Sequence, residues 1–349
     1  MKIREKYLKR ALEIAARARG CDPNPAVGAV VEAGGRIIGE GYTAAYGGPH
    51  AEVRAIRSVH NPELLREATL YVTLEPCCHH GKTPPCTDRI LESGIPRVVV
   101  GIKDPNPAVA GRGIRMLEAA GCTVISGLLE AECREHHRVF LTVQEKKRPY
   151  ILLKWAQSRD GYLAPPDSRR SEPGQPHWIT GMAARQWVHK WRTEVQAILV
   201  GRKTAYADNP RLDSRLWTGP DPLRVVLDPG FKTPAGHHLL DGTLPTLFAT
   251  KGNSGRPCPK GVAVLEIPEA ADMLDAVLDE LRRRDVASLL VEGGRDTLNG
   301  FIERDLWDEA RILTGTSDLG SGLPAPRLAG RLAASGRIGS DRFEFRRND

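Results

Sequence analysis

Hydrophobic residues in the first 145 positions recur in two alternating patterns, one typical of strands and one typical of helices. The segment VGAVVEAGGRIIGEG (27–41) has apolar runs on both sides of a Gly-Gly pair and predicts a β-hairpin. Strands are predicted at ATLYVTLEP (68–76) and RVVVGI (97–102), and helices at HAEVRAIRSV (50–59) and CTDRILESG (86–94). The N-terminal stretch predicts an amphipathic helix. Its apolar face consists of Ile3, Tyr7, Leu8, Ala11, Leu12 and Ala15. This alternation indicates an α/β layer.

The pattern is interrupted by the charged, proline-ended stretch QEKKRP (144–149), after which a new apolar strand, YILLKWA, begins at once. We therefore predict two α/β domains, residues 1–145 and 149–349. Further strands are predicted in the second domain at AILVG, LRVVLD, TLFAT and SLLVEGG. The segment ADMLDAVLDELRRR (271–284) predicts an amphipathic helix. Its buried stripe consists of Met273, Leu274, Val277, Leu278 and Leu281.

Cysteine usage and hydropathy limit the class of protein. Seven cysteines at irregular spacing, without an N-terminal run typical of a signal peptide, argue against a disulfide framework. Glu5 and Glu13 argue against a mitochondrial presequence. No apolar run approaches the roughly 18 residues that a membrane span needs. The sequence thus predicts a soluble, cytoplasmic protein that does not bind membranes.

The net charge of +7 and the isoelectric point near 9.1 would suit a protein that binds nucleic acid. The basic residues are, however, scattered among nearly as many acidic ones, and aromatic residues make up only 5% of the chain. An enzyme with small anionic substrates, which does not bind nucleic acid, is the better interpretation.

A cluster of metal-binding side chains stands out in TLEPCCHHGKTPPCT (73–87), and it must be read together with PHAEVRAI (49–56). His50, Cys77 and Cys86 provide three ligands for zinc and leave the fourth tetrahedral position for water. Zinc lowers the pKa of such a water towards neutrality. Glu52 is placed to take the water's proton and pass it to a leaving amine. The alternative is a closed structural site, with a fourth ligand from Cys78, His79 or His80.

The H-x-E motif followed by P-C and a second cysteine is the signature of zinc-dependent nucleobase deaminases. Eight residues separate the two cysteines here, where two are usual. With Asn24-Pro25, EPC-x-HHGKTPPC and KDPNPAVAGRG, this half resembles the deaminase half of the bifunctional riboflavin-biosynthesis deaminase-reductase family. The resemblance implies a cytidine-deaminase-like α/β/α domain. Serine is usual in the family at the position of Cys78, which favours Cys77 as the ligand. The resemblance places Asn24, Lys82, Asp104 and Asn106 around the substrate.

The second domain lacks the G-x-G-x-x-G dinucleotide motif, but SLLVEGGRDTLNG carries a Gly-Gly pair between a strand and a helix. Glycines allow close approach to a ligand, and the free amides of a helix start favour phosphate. LLKWAQSRDGYLA, HWITG, AILVGRKTAYADNPRL and VEGGRDTLNGF follow in the order typical of the reductase half of the same family. The resemblance implies a dihydrofolate-reductase-like α/β fold that uses NADPH.

That resemblance also assigns roles to residues of the second domain. It places Ala156, Leu163, Trp178, Thr204, Asp208, Gly293 and Gly294 against the dinucleotide, and Lys154, Arg192, Leu212, Arg215 and Glu292 around the substrate. Arginine suits a ribose phosphate, because its planar donors keep their charge. Lys154 or Asp208 could supply the proton that accompanies hydride transfer.

The combined hypothesis is an enzyme of flavin synthesis with two activities, acting in the cell as a homo-oligomer, a dimer or a tetramer. Zinc-dependent deamination of a diamino-ribosylamino-pyrimidinone phosphate would precede NADPH-dependent reduction of its ribose to ribityl. One alternative is a deaminase acting on a base in RNA, with the second domain as a binding module. The other is a zinc-stabilised scaffold without catalytic activity.

Overall fold

The computed structural model describes residues 4–21, 23–81, 83–106, 109–166, 177–252, 255 and 257–348. The chain divides into two compact units, Met1–Arg148 and Pro149–Asp349. The division falls inside the charged stretch 144–149, where the predicted boundary lies. Within the described ranges, none of the helices has the length and hydropathy to cross a membrane.

The first unit alternates strands and helices from its N-terminus onwards, as the hydrophobic pattern predicts. A 3₁₀ helix, Pro62–Glu67, precedes its third strand. The elements are α1 (Glu5–Ala15), β1 (Gly28–Ala33), β2 (Arg36–Tyr42), α2 (Ala51–Arg57), β3 (Thr69–Leu74), α3 (Cys86–Glu92), β4 (Arg97–Ile102), α4 (Arg112–Ala119), β5 (Thr123–Ser126), α5 (Glu130–His136) and α6 (Arg138–Lys146).

The five strands form one sheet in the order β2-β1-β3-β4-β5. The hairpin β1–β2 is antiparallel, whereas β3, β4 and β5 run parallel. Helices cover both faces: Glu40 pairs with Arg10 of α1 at 2.6 Å, and the adjacent Gly41 faces Ala51 of α2. Because β3 and β4 are parallel neighbours, their carboxyl ends meet at one edge of the sheet. The loops that carry Cys77 and Asp104 begin at that edge.

The N-terminal helix buries nearly the face that its spacing predicts. Tyr7, Leu8, Ala11 and Ala15 are buried there, together with Ile14, which lies outside the predicted set. The predicted Leu12 is only half-buried and packs against the edge of the core, and Ile3 lies outside the described residues.

The second unit contains a larger α/β layer. A 3₁₀ turn, His238–Leu240, precedes β10. The elements are β6 (Tyr150–Gln157), β7 (Tyr162–Ala164), α7 (Met182–Arg192), β8 (Ala197–Gly201), α8 (Arg202–Asp208), β9 (Leu223–Leu227), β10 (Thr246–Lys251), β11 (Val262–Ile267), α9 (Met273–Arg283), β12 (Ser288–Val291), α10 (Arg295–Glu303), β13 (Glu309–Thr314), β14 (Leu323–Pro324), β15 (Arg331–Ile338) and β16 (Asp341–Arg347).

Nine of these strands form one sheet in the order β11-β10-β9-β8-β12-β6-β13-β16-β15. The seven strands from β11 to β13 are parallel, and β16 and β15 close the edge in antiparallel fashion. Separate cores fill the two faces, because side chains alternate along each strand. Leu289 and Val291 pack towards α9 and α10, whereas Leu290 packs towards α8. On α9, Val277, Leu278 and Leu281 are buried as predicted, and Met273 and Leu274 are half-buried.

Candidate active sites

Three side chains from separate elements meet in the first unit. His50 immediately precedes α2, Cys77 lies just beyond β3, and Cys86 is the first residue of α3. The His50 Nδ1 lies 3.5 Å from the Cys77 Sγ and 3.3 Å from the Cys86 Sγ. The three ligand atoms all lie within 4.8 Å of one another. The structure thus brings together the three residues that the sequence proposes as metal ligands.

The geometry of this cluster fits a zinc ion. A tetrahedral zinc bound to one imidazole nitrogen and two thiolates holds neighbouring ligand atoms about 3.5 Å apart, and one nitrogen with two sulfurs is a common zinc-binding set. Among the described residues, neither Cys78 nor His79 nor His80 belongs to the cluster, and both histidines are exposed. Three ligands with an open fourth position are typical of catalytic rather than structural zinc.

The two thiols are electrostatically coupled. The hydrogen bond from Cys86 lowers the pKa of Cys77 to about 4, with His50 reinforcing this shift against the effect of burial. Cys86 donates that hydrogen bond, so its own pKa is raised well above the ordinary value. The backbone N–H of Cys86 also donates to the Cys77 Sγ at 3.4 Å. The hydrogen bonds within the cluster therefore favour the thiolate form of Cys77.

Glu52 lies beside the cluster without belonging to it. It is the second residue of α2, is only 3% exposed, and hydrogen-bonds to the Cys86 thiol. Burial, followed by the charge of Cys77, raises the pKa of Glu52 to about 7. A buried carboxyl group next to a metal cluster is arranged for proton transfer rather than for solvation.

Of the predicted substrate residues of this half, Asn24, Asp104 and Asn106 are described, and all three lie outside the helices and strands. Asn24 is half-buried in a turn where its backbone N–H donates to Cys21 O at 2.9 Å. Asp104 is buried and accepts a hydrogen bond from the Asn106 N–H at 2.8 Å. Burial raises the pKa of Asp104 to about 6, and the charges of Glu75 and Cys77 add to the shift. Lys82 lies outside the described residues.

Glu75 is a buried residue of this site to which the sequence assigns no role. It directly follows β3 and is 3% exposed. Its carboxylate accepts hydrogen bonds from the backbone N–H groups of Asp104, Gly111 and Ile114, at 3.2, 2.9 and 3.2 Å. The local sequence around Glu75 does not reveal this role, because its hydrogen-bond partners follow 29 to 39 residues later in the chain.

A cleft of about 1830 Å³ opens in the second unit. Ordinary small-molecule pockets have about 300–1,000 Å³, so this cleft has room for two ligands at once. Every residue that the sequence places around the dinucleotide or the reductase substrate lines it: Lys154, Ala156, Leu163, Trp178, Arg192, Thr204, Asp208, Leu212, Arg215, Glu292, Gly293 and Gly294.

A buried ion-pair network forms one wall of the cleft. The Arg192 guanidinium binds the Glu292 carboxylate through two N–H groups, at 2.9 and 3.0 Å, and donates to Asp213 O at 2.8 Å. The Lys154 ammonium lies 3.4 Å from the same carboxylate. Burial by itself raises the pKa of Glu292, but Arg192 and then Lys154 outweigh it and hold the pKa at about 2.

The Gly-Gly pair between β12 and α10 is shaped by two threonines. A Cβ atom at Gly293 would lie 2.5 Å from the Thr297 Cβ, so only glycine fits there. A Cβ atom at Gly294 would lie 3.2 Å from the Thr204 Oγ1, which faces the cleft. Gly294 caps α10 and leaves the first amides of that helix available to a ligand.

His189 lines the cleft of the second unit, and the sequence does not single it out. It lies on α7, three residues before Arg192, and is buried, with no hydrogen-bond partner for its Nδ1 in the described part of the chain. Burial lowers its pKa to about 4, and the charges of Arg192 and Arg215 add to the shift. A neutral imidazole therefore stands next to the two arginines.

Comparisons with known proteins identify a family for each half of the chain. Residues 1–102 match the family model described as cytidine and deoxycytidylate deaminase zinc-binding region, and residues 149–335 match the RibD C-terminal domain. Riboflavin biosynthesis protein RibD of Aquifex aeolicus is 41% identical over 92% of this chain and 89% of its own length. The Escherichia coli RibD protein is 37% identical, over 91% and 89%.

A solved structure extends the likeness to the whole fold. The crystal structure of a diaminohydroxyphosphoribosylaminopyrimidine deaminase/5-amino-6-(5-phosphoribosylamino)uracil reductase from Thermotoga maritima is similar to this chain, with a TM-score of 0.87. Its identity is 36%, and the match covers 99% of this chain and 98% of that one. The predicted α/β fold class is confirmed, and the non-enzymatic scaffold is wrong. The chain belongs to the RibD family of riboflavin biosynthesis proteins, with a zinc-binding, cytidine-deaminase-like domain followed by a dihydrofolate-reductase-like reductase domain.

Proposed function

We propose that the chain carries out two consecutive steps on a phosphorylated pyrimidine riboside. The N-terminal domain removes the ring amine of 2,5-diamino-6-(ribosylamino)-4(3H)-pyrimidinone 5′-phosphate by hydrolysis, and the C-terminal domain reduces the ribosyl group to ribityl with NADPH. The observation that carries this proposal is the buried Glu52 beside the cluster of His50, Cys77 and Cys86, because a purely structural zinc site has no use for such a carboxyl group. The name of the Thermotoga maritima protein describes the same two activities.

In the deaminase domain, His50, Cys77 and Cys86 would hold zinc, which would supply Lewis-acid activation of water when bound. Glu52 accepts the proton of the attacking water and delivers it to the leaving amine, so that ammonia and the ring carbonyl result. Its burial in the first turn of α2 shields the carboxyl group from bulk water, which favours proton exchange with the reacting atoms over exchange with solvent. Asn24, Lys82, Asp104 and Asn106 hold the pyrimidine and the ribose phosphate, as the resemblance implies.

In the reductase domain, Arg192 and Arg215 hold the ribose phosphate. Arginine carries five N–H donors, and the contacts of Arg192 to Glu292 and Asp213 use three of them within the described residues. Two donors remain for a phosphate, in an orientation that Glu292 fixes. Arg215 is half-exposed at the cleft and pairs with Asp213, which leaves its fork accessible to the substrate.

Bound NADPH supplies the hydride for reduction at C1′ of the ring-opened sugar, and Lys154 is the better proton source of the two candidates. The Lys154 ammonium is only 15% exposed, and Glu292 holds it at 3.4 Å on the cleft wall. It can protonate the imine nitrogen as C1′ gains hydride, which balances the reduction to an amine. Asp208, the last residue of α8, is then left to the dinucleotide with Thr204.

The dinucleotide side of the cleft consists of Ala156, Leu163, Trp178, Thr204, Asp208, Gly293 and Gly294. The start of α10 provides N–H groups for the pyrophosphate, since a helix N-terminus favours anions. The cleft is large enough to hold cofactor and sugar phosphate together, as hydride transfer requires.

We also carry forward the cytoplasmic location and the homo-oligomeric state, dimer or tetramer, that the sequence predicts. None of the seven cysteines, all of which lie among the described residues, forms a disulfide, which is typical of proteins in a reducing compartment.

The test uses two variants of the full chain, one in each domain, and measures both activities. Wild-type protein given the diaminopyrimidine phosphate should release ammonia, and NADPH oxidation should then follow when NADPH is added. Glu52→Gln should keep about one zinc per chain while deamination falls by roughly two to four orders of magnitude. Lys154→Met should deaminate normally and lose NADPH oxidation. Loss of zinc from Glu52→Gln would show that Glu52 is a ligand, and absence of ammonia release by the wild type would refute the proposed function.

A further inference from the structure

Glu75 connects three backbone segments of the deaminase domain through a single carboxylate. The Oε2 accepts hydrogen bonds from the N–H groups of Asp104 and Gly111, and the Oε1 accepts one from Ile114 in the first turn of α4. The backbone N–H of Glu75 donates to Ile102 O at 2.9 Å, which extends the pairing of β3 with β4 beyond the strand ends. Both ends of the loop between β4 and α4 are thus tied to one residue.

The loop so held is under local backbone strain. Ala110 has a φ of 28° and Gly111 a φ of 79°, two consecutive residues in the region that side chains disfavour. This turn directs the Gly111 N–H at the Glu75 carboxylate. A conformation of this kind persists only where surrounding contacts determine it, and the buried, negatively charged acceptor is the contact that the structure provides.

The same residue lies next to the metal cluster. Glu75 is followed by Pro76 and then by Cys77, so the carboxylate is two residues from a metal ligand. A Cβ atom at Gly113 would collide with the Pro76 carbonyl oxygen, so α4 packs directly on this segment. The position of the loop relative to the metal cluster is therefore set through a short, closely packed connection.

We propose that Glu75 is a positioning residue of the deaminase, which holds the described ends of the loop between β4 and α4, residues 103–106 and 109–111, so that Asp104 and Asn106 meet the pyrimidine substrate beside the metal cluster. This rests on the proposed function, in which those two side chains contact substrate. Glu75 is neither one of the three metal-cluster residues nor one of the predicted substrate contacts. Its removal should weaken substrate binding more than the chemical step, because Glu52 and the three metal ligands stay in place.

The test uses the full-length enzyme with Glu75→Gln. The glutamine side chain keeps one acceptor oxygen, but its NH₂ group replaces the other oxygen and faces backbone N–H donors. At least one hydrogen bond is therefore lost. Hydrogen exchange of the Asp104, Gly111 and Ile114 amides, measured without substrate, should become at least about tenfold faster. The KM for deamination should rise at least about tenfold while kcat stays within about threefold. Zinc content and NADPH oxidation should stay at wild-type levels.

Glu40→Gln is the matched control. It removes a carboxylate of the same domain that pairs with Arg10 on α1, and it should change neither loop exchange nor KM. Should Glu75→Gln fail to fold, Glu75→Asp keeps the charge with a shorter reach and should shift both quantities in the same direction by a smaller factor.

Three outcomes would overturn the proposal: unchanged exchange of the loop amides, faster exchange with an unchanged KM, or loss of zinc together with activity. Failure of the proposed function is read separately. Wild-type protein that releases no ammonia refutes the deaminase, whereas the exchange experiment still decides whether Glu75 holds the loop.

Discussion

The network around Glu292 offers the sharpest test of the C-terminal site, through the substitution Glu292→Gln. The carboxylate is 8% exposed and carries the only negative charge between Lys154 and Arg192 in the contacts described. Glutamine has nearly the same shape but no charge. Two cations would then face each other across the cleft wall, and the Arg192 fork would lose its bidentate acceptor.

The expected cost follows from the pKa of Glu292. Arg192 and Lys154 outweigh burial and bring that pKa from 4.5 to about 2. At roughly 1.4 kcal/mol per pKa unit, the folded state of this domain gains about 3 kcal/mol from the ionised form. Removing one partner of a buried ion pair costs about 3–5 kcal/mol in other proteins, which agrees with the stabilisation derived from the pKa of Glu292.

The pH dependence has a definite sign. The folded-state pKa lies below the unfolded one, so the stabilisation is complete above a pH of about 4.5 and disappears as the pH falls through about 2. The difference in unfolding free energy between wild type and Glu292→Gln should therefore be constant from pH 6 to 8 and shrink in acid.

Tryptophan fluorescence provides the assay, because all six tryptophans lie beyond residue 149 and report only on this domain. Urea titrations at pH 7 should give the unfolding free energy of each variant. Asp279→Asn is the control, since its pair with Arg282 is 66% and 49% exposed and should contribute less than about 0.5 kcal/mol. A loss of less than about 1 kcal/mol for Glu292→Gln would refute the argument that the network stabilises the fold.

Three further predictions concern the adjacent cysteines, the two sides of the cleft and a buried histidine. Cys77→Ser should release zinc and Cys78→Ser should retain it with near-normal deamination, as read by metal analysis; the reverse would make Cys78 the ligand. Arg215→Ala should raise the KM for the ribosyl phosphate at least about tenfold with NADPH binding unchanged. Gly294→Val should weaken NADPH binding by crowding the cofactor side and leave the KM for the ribosyl phosphate unchanged. Equal effects of both variants on both ligands would contradict the division of the cleft into a substrate side and a cofactor side. Burial lowers the pKa of His137 from 6.5 to about 3, so the unfolded chain binds this proton first and His137 by itself should remove about 2 kcal/mol of stability between pH 7 and pH 5. The raised pKa values of Glu52 and Asp104 act in the opposite direction, so the contribution of His137 is read as a difference between two proteins. Unfolding followed by circular dichroism, in the transition that fluorescence does not report, should show that wild type loses about 2 kcal/mol relative to His137→Gln between pH 7 and pH 5.

The sequence alone determined the elements and the chemistry that lie close together along the chain. Alternation of period 2 and period 3.6 predicted the hairpin β1–β2 and the helices α1, α2, α3 and α9, because burial of one face imposes that spacing. The motifs around His50 and Cys77 indicated zinc and deamination through residue types and order. The order of four segments in the second half indicated the reductase, although no single motif there is decisive.

Only the tertiary structure decided which distant groups share an environment. Three features depend on which strand ends and helix faces meet: the amides that Glu75 binds, the carboxylate that orients Arg192 from 100 residues away, and the buried His189 on the cleft wall, whose Nδ1 has no partner among the described residues. The sequence already favoured Cys77 over the adjacent Cys78, and the structure places the Cys77 sulfur with His50 and Cys86. Periodicity specifies which face of an element is buried, but not its partner, since apolar contacts are non-directional and many pairings satisfy one pattern.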